Sequence, residues 1–293
     1  MNLAVTVLEI TAPVFLLAAI GFGWVKAGFE YRVEFVTRLA MTLAVPSLIF
    51  TALMKTQIDP QALTTLSLAA MAAYAVVSVA SYLLVKVFGL DVRTFLAPII
   101  FGNTGNLGLP LAVFAFGEAG LGYAVVVFAV MAIWSFTFGV WLVAGGGSLL
   151  KVVKEPLVGA TALGGVFLWQ GWQTPRFLTN ALELVGQMAI PLMLITLGVA
   201  VARMTPGHVR RAIWISAAKL ALCFGLTWAV GVWFGLDEVA FAVLVLQLST
   251  PVAVTSYLLA EKYGADSESV AGLVVVSTLM AVLAIPVMLA VLL

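Results

Sequence analysis

Apolar runs close to the length of a membrane-crossing helix recur ten times along the chain, at residues 3–25, 33–54, 62–88, 93–117, 121–143, 154–171, 177–202, 210–233, 238–260 and 267–292. About 20 residues of helix cross the hydrocarbon core, whereas a barrel strand takes only about 10. In oil every amide and carbonyl has to be paired within the protein, so runs of this length read as helices. The expected fold class is an all-α integral membrane protein with ten transmembrane helices. Composition agrees: 63% of residues are apolar and 9% charged, against about 25% charge in soluble domains. The single Cys223 and single His208 offer neither a disulfide nor a Cys/His metal centre. With 14 basic and 13 acidic residues there is no basic field for nucleic acid. The expected surroundings are the lipid bilayer, with no cofactor. No basic region precedes the first run, which is long enough to span and is expected to stay as a helix.

Two halves of the chain resemble each other. Phe88-Gly89-Leu90-Asp91 recurs as Phe234-Gly235-Leu236-Asp237, Ala44-Val45-Pro46 as Ala189-Ile190-Pro191, and Val125-Val126-Val127 as Val274-Val275-Val276, at offsets of 146, 145 and 149. Five runs per half is an odd number, so the second half enters from the opposite side, giving an inverted repeat. The division expected is a first repeat over 1–146, a short cytoplasmic linker over 147–153 around the Gly145-Gly146-Gly147 triplet, and a second repeat over 154–293. Alternating the loops puts eleven basic residues on one side, among them Arg38, Lys86, Arg93, Arg203 and Arg211, and only Lys55 and Arg176 on the other. The positive-inside rule makes the first side cytoplasmic. Both termini of a multi-pass cell-membrane (inner-membrane) protein then face outward. Trp24, Trp141, Trp169, Trp172, Trp214 and Trp233 fall near run ends, as an interfacial belt requires.

The fourth run is broken by Gly102-Asn103-Thr104-Gly105-Asn106-Leu107-Gly108-Leu109-Pro110, a polar, glycine-rich stretch. Irregular backbone at membrane depth survives only where it is buried in protein or lines a wet cavity. The offset of 146 places Asn103 on Ser249, Thr104 on Thr250 and Gly105 on Pro251, within a second polar stretch, Gln247 to Ser256. Matching interruptions in two halves point to a transporter's substrate site, where half-helix amides receive an anion and half-helix carbonyls a cation. The expected substrate contacts are Asn103, Thr104, Gly105, Asn106, Pro110, Ser249, Thr250, Pro251 and Thr255. Glycines spaced as Gly102, Gly105 and Gly108 also suit close helix packing.

Further coupling or pathway candidates are Lys219, Glu9, Glu183, Gln247, Pro46 and Pro191. Lys219 lies eight residues past Arg211, about 12 Å along a helix, where a charge is costly and is paired, snorkelling or functional. Glu9 and Glu183 sit near outer helix ends, where hydration competes with proton carriage. Pro46 and Pro191 suit kinks in the second and seventh helices. Asp91 and Asp237 are placed to cap the two broken helices.

Asn103-Thr104 followed by Gly108-Leu109-Pro110, together with Leu259-Ala260-Glu261-Lys262-Tyr263-Gly264-Ala265-Asp266, resembles the auxin efflux carrier family over the whole chain. The resemblance implies two inverted five-helix repeats with broken, crossing helices 4 and 9, a fold similar to bile-acid symporters and some sodium/proton antiporters, and a homodimer. It also implies that Asn103 helps bind a substrate carboxylate and that Pro251 lies at the crossing. The long central hydrophilic loop of the plant members is missing. The function expected is secondary transport of a small organic anion, a carboxylate such as malonate or malate or an auxin-like acid, by alternating access. A sodium-coupled bile-acid-type symporter is the alternative, and proton coupling, sodium coupling and uncoupled movement all stay open. No Gly-x-Ser-x-Gly elbow or His-Glu-x-x-His pair supports an intramembrane enzyme.

Overall fold

The structure, a computed structural model, describes residues 3–55, 58–144, 156–203 and 208–293, and every regular element among them is helical. The expected linker 147–153 lies outside the described residues. In order the helices are α1 (Leu3–Lys26), α2 (Val33–Leu39), α3 (Val45–Lys55), α4 (Pro60–Val87), α5 (Val92–Ile100), α6 (Leu109–Trp134), α7 (Val140–Ala144), α8 (Pro156–Gln170), α9 (Arg176–Gln187), α10 (Ala189–Arg203), α11 (Val209–Trp233), α12 (Glu238–Leu248), α13 (Val254–Tyr263) and α14 (Ser267–Leu292). A π-helical turn over Ala40–Ala44 joins α2 to α3, and Met188 alone separates α9 from α10. Pro46 and Pro191 explain both interruptions: each lacks an amide and crowds the carbonyl four residues back, which falls in that turn and at the end of α9.

Seven stretches are continuous, long and apolar enough to cross a bilayer: Val5–Lys26, Val33–Lys55, Gln61–Val87, Thr104–Val143, Arg176–Arg203, Val209–Trp233 and Ser267–Leu292. The rest of the ten expected runs differ in form. The fourth is divided between α5 and the 40-residue run Thr104–Val143, the sixth is the 15-residue α8, and the ninth is divided between α12 and α13. A 40-residue helix would extend about 60 Å, twice the hydrocarbon thickness. This one is not straight. Gly117 has φ 62° and ψ −148°, and a Cβ on Gly120 would overlap the Ala112 carbonyl oxygen. Residues eight apart in a straight helix lie about 12 Å apart, so the chain doubles back at Gly117.

Lipid tails are as apolar as leucine, so helices associate here through close packing rather than escape from water. α1 lies along α10 and α3 along α8, while α11 packs on α4, α12 and α14, and α12 on α6. Most of the buried side chains join one apolar cluster, and a second one links α1, α10, α12 and the C-terminal half of α14. Trp24, Trp141, Trp169, Trp172 and Trp233 are exposed at or just beyond helix ends, as membrane anchors would be.

The two short helices leading into the breaks start at opposite ends of the bundle. Asp91 caps α5, accepting from the Thr94 amide at 2.9 Å. Beside it Arg93 donates to the carbonyls of Val143 and Tyr263, which end α7 and α13. Arg211, at the start of α11, donates to the Ser269 hydroxyl at the start of α14. Asp237 follows the far end of α11, over 30 Å away at about 1.5 Å per residue. It caps α12 through the Ala240 amide at 2.9 Å and accepts the Tyr123 hydroxyl at 2.8 Å. Asp237→Ala removes both bonds and should cost about 1–2 kcal/mol. A lower thermal midpoint than in Tyr123→Phe, which keeps the cap, is the expected result; equal midpoints would show that the cap contributes nothing.

Candidate functional site

The two interruptions meet. Backbone 101–103 after α5 and 249–253 after α12 run antiparallel, with Gly102 opposite Val252. The Asn103 amide donates to the Pro251 carbonyl at 2.7 Å and the Ala253 amide to the Phe101 carbonyl at 3.4 Å. These bonds satisfy part of the unwound backbone without a helix, as burial in oil requires. The approach is close because Gly102 has no side chain: a Cβ there would overlap the Thr250 hydroxyl and lie 3.1 Å from the Thr250 carbonyl oxygen. Gly108 similarly abuts the Gln247 side chain, and Gly105 faces the Phe128 ring.

The register differs from the offset of 146. α12 has 11 residues against 9 in α5. The second unwound segment is also longer, so helix resumes at Thr104 in one half and Val254 in the other, 150 apart. Asn103 bonds to Pro251, the residue expected at the crossing.

Beyond the crossing the chain makes a π-helical turn, Thr104–Gly108, before α6. Its N-cap is Asn103, whose carbonyl accepts from Leu107 and Gly108 but whose side chain makes no capping bond. The first amides of a helix have no partner inside it and carry its positive end. Unpartnered polar side chains lie in or against the turn: Asn103 Nδ2, Thr104 Oγ1 and, beside Gly108, both amide atoms of Gln247 have no protein partner, though all are buried. Buried polar groups are hydrogen-bonded as a rule, so a cluster of exceptions marks a place where something else binds.

Lys219 on α11 is only 2% exposed, and its ammonium donates to the Thr250 carbonyl at 2.9 Å. Snorkelling, one expectation for this residue, is excluded by that burial and that bond. Gln247 is fully buried behind the crossing.

Two cavities lie at opposite ends of the α2–α3 pair. One, of about 490 Å3, is lined by Thr37, Asn106, Thr196, Arg203, Thr255 and Glu268 among others. The other, of about 660 Å3, includes Thr51, Lys55, Glu118, Glu183 and Gln187. Asn106 and Thr255 thus lie just beyond the crossing, facing the first cavity, whereas Asn103, Thr104, Ser249, Thr250 and Pro251 form the crossing itself; Pro110 is buried in the first turn of α6. Glu183 pairs with Lys55 in the second cavity. Glu9 is exposed on α1, and it, Pro46 and Pro191 line neither cavity.

Sequence reasoning missed Thr37, Thr196 and Arg203. Tyr31 ties the last two together, its hydroxyl sharing a 2.8 Å bond with Thr196 and its carbonyl accepting from Arg203 at 2.6 Å. Burial pushes the Tyr31 phenol up despite these neighbours. Ser277 was also missed, although it accepts the Val252 amide at 3.0 Å and so holds the crossing from α14. At the first cavity's end of the bundle, burial raises the Asp266 carboxyl, but bonds from Ser269 and the charges of Arg211 and His208 outweigh it and hold it below the usual range. Among the described residues no cluster of His, Cys, Asp and Glu is fit to hold a metal ion.

A family model described as membrane transport protein matches residues 6–148 and 140–289. An uncharacterized transporter of Methanocaldococcus jannaschii is 25% identical over 95% of this chain and 96% of its own length. Another, from Methanothermobacter thermautotrophicus, is 26% identical over 85% of each chain. The matches run through both broken helices, and a multi-pass helical bundle crossed at its centre by unwound backbone is the setting in which they fall: the chain belongs to the membrane transport protein family.

Proposed function

We propose that this chain is a secondary transporter that moves a small organic anion, a carboxylate such as malonate or malate, by alternating access. Its ten membrane helices form two inverted repeats, 1–146 and 154–293, with α5–α6 and α12–α13 as the broken pair. Support for the inversion comes from the Asp91 and Asp237 caps at opposite ends of the bundle and from the doubling back at Gly117. The paired packing of α1 on α10 and α3 on α8 also fits, because exchange of the halves turns one contact into the other. The end bearing Arg93, Arg203 and Arg211 is cytoplasmic, and both termini are outside.

The observation that carries the anion reading is the uncapped turn at Asn103, with its free Nδ2 and buried neighbours Thr104 and Gln247. Unsatisfied amides at a helix start form a ready anion seat. The 490 Å3 cavity reaches Asn106, three residues along the same turn, and is of a size that holds small ligands. α1, α2–α3, α8 and α9–α10 would form the fixed unit against which the crossing moves, opening the two cavities in turn.

Proteoliposomes loaded with unlabelled malonate should take up labelled malonate by counterflow, and Asn103→Ala should slow it by about 10- to 100-fold, the cost of one lost bond to a charged group. Counterflow unaffected by Asn103→Ala would move the site elsewhere. Flux that neither saturates nor shows counterflow with any carboxylate would replace the carrier by a channel.

A further inference from the structure

Lys219 lines neither of the two cavities beside α2–α3. It lines a separate small space of about 20 Å3 with Ser216, Ser249, Thr250, Pro251 and Ser277. That volume holds one water-sized particle and no carboxylate. Its polar lining besides Lys219 is oxygen: the Thr250 carbonyl, which accepts the ammonium's hydrogen bond, the hydroxyls of Ser216 and Ser249, which have no protein partner, and the Ser277 hydroxyl. No acidic side chain forms an ion pair with Lys219 among the described residues. The counter-charge is instead the negative end of α12, whose last carbonyls point into the break.

Leu220, Met280, Ile285 and Met288 close the rest of the space, so its oxygens are gathered on one side. Oxygens grouped around a one-particle space at a half-helix C-terminus are the chemistry that receives a monovalent cation. Here that position is taken by a charge attached to α11. One turn further along, Cys223 faces the corresponding end of α5, its thiol 3.9 Å from the Ile99 carbonyl. The offset of 146 puts Ala73 at the place of Lys219 in the other half, so the arrangement belongs to one half only.

We infer that Lys219 is a tethered cation that holds the crossing closed in place of a bound monovalent ion, so that transport needs no coupling metal ion. Lys219 is thus a positioning residue, acting through the Thr250 carbonyl on the anion seat beside it; its consequence for coupling rests on the transporter reading above, whereas its cation chemistry does not. Cutting the side chain back exposes the same oxygens to a free cation, so Lys219→Ala should gain a dependence on sodium or on small ammonium ions that the parent lacks.

The test is thermal unfolding of detergent-purified protein at constant ionic strength in chloride salts of sodium, potassium, methylammonium and N-methylglucamine. The parent should unfold at one temperature in all four. Lys219→Ala should unfold lower in N-methylglucamine and regain about 3 °C, saturably, in sodium or methylammonium at ten times the dissociation constant. Lys219→Arg, which keeps a charge, should show a weaker gain or none. A folded Lys219→Ala indifferent to every cation overturns the proposal, and so does failure of both Lys219→Ala and Lys219→Ser to fold in every salt, because a diffusible cation then cannot replace the tether. A parent protein stabilised saturably by sodium, or one whose counterflow requires it, overturns it as well. Absence of counterflow with every anion would count against the transporter reading alone and leave the thermal result standing.

Discussion

Gly198→Val is expected to leave little folded protein. α1 and α10 meet with two glycines at their contact: a Cβ on Gly198 would overlap the Ala18 carbonyl oxygen and lie 2.9 Å from the Phe22 amide nitrogen, and one on Gly21 would overlap the Ile195 carbonyl oxygen. The atoms met are backbone, so no rotamer change relieves the overlap. α1 has to move away along its length, and in lipid nothing but packing holds it. The cost should exceed about 3 kcal/mol, the upper range of overpacking. Gly165→Ala in α8, where nothing lies within 4 Å of the added carbon, serves as the control and should be neutral or slightly stabilising, since alanine is the better helix former. Monodisperse yield on size exclusion and the thermal midpoint measure both. A Gly198→Val protein with parental yield and midpoint would mean that α1 does not lie against α10 as described.

Much of the fold was legible because oil imposes one rule. Membrane-length apolar runs have to become helices, and Asp91 and Asp237 were readable as caps from position alone. What sequence did not show is how the runs are cut. The run ends at 117 and 121 placed the cut at Gly117, but not the helical ladder that runs almost unbroken across it from Thr104 to Val143. The π-helical turn before Pro46 and the step before Pro191 follow from proline chemistry, but whether a proline bends a helix or only shifts its ladder depends on its neighbours.

The candidate site divides in the same way. Asn103, Thr250 and Pro251 were found because polar and unwinding residues stand out against an apolar background, and the structure brings them together at the crossing. The register did not follow from a single offset, since α12 is two residues longer than α5. Tyr31, Thr196 and Arg203 gave no local signal: a threonine inside a helix and an arginine at its end are ordinary until the fold puts both on one cavity and bonds Tyr31 to each. Lys219 was visible as a costly charge, but its direction, toward Thr250 and away from the membrane surface, is a tertiary fact.

Asn103→Asp should separate the anion seat from the helix cap that shares its position. Asparagine and aspartate are about equally good N-caps, so an aspartate facing the free amides of the Thr104–Gly108 turn should keep the thermal midpoint near that of the parent or raise it. The same carboxylate occupies with fixed negative charge the place where a substrate carboxylate would bind. Two unit charges about 4 Å apart at an effective dielectric constant near 20 repel by about 4 kcal/mol, which predicts loss of anion transport by more than about 100-fold, deeper than in Asn103→Ala. Counterflow and thermal unfolding on one preparation therefore move in opposite senses, or only the first moves. A collapse of both would show that the Asn103 side chain serves the fold, since the backbone bonds at this position, from the Asn103 amide to Pro251 and from the Leu107 and Gly108 amides to its carbonyl, survive the substitution. Transport that survives the added charge would mean that no anion approaches this turn, and the amides there would need another occupant.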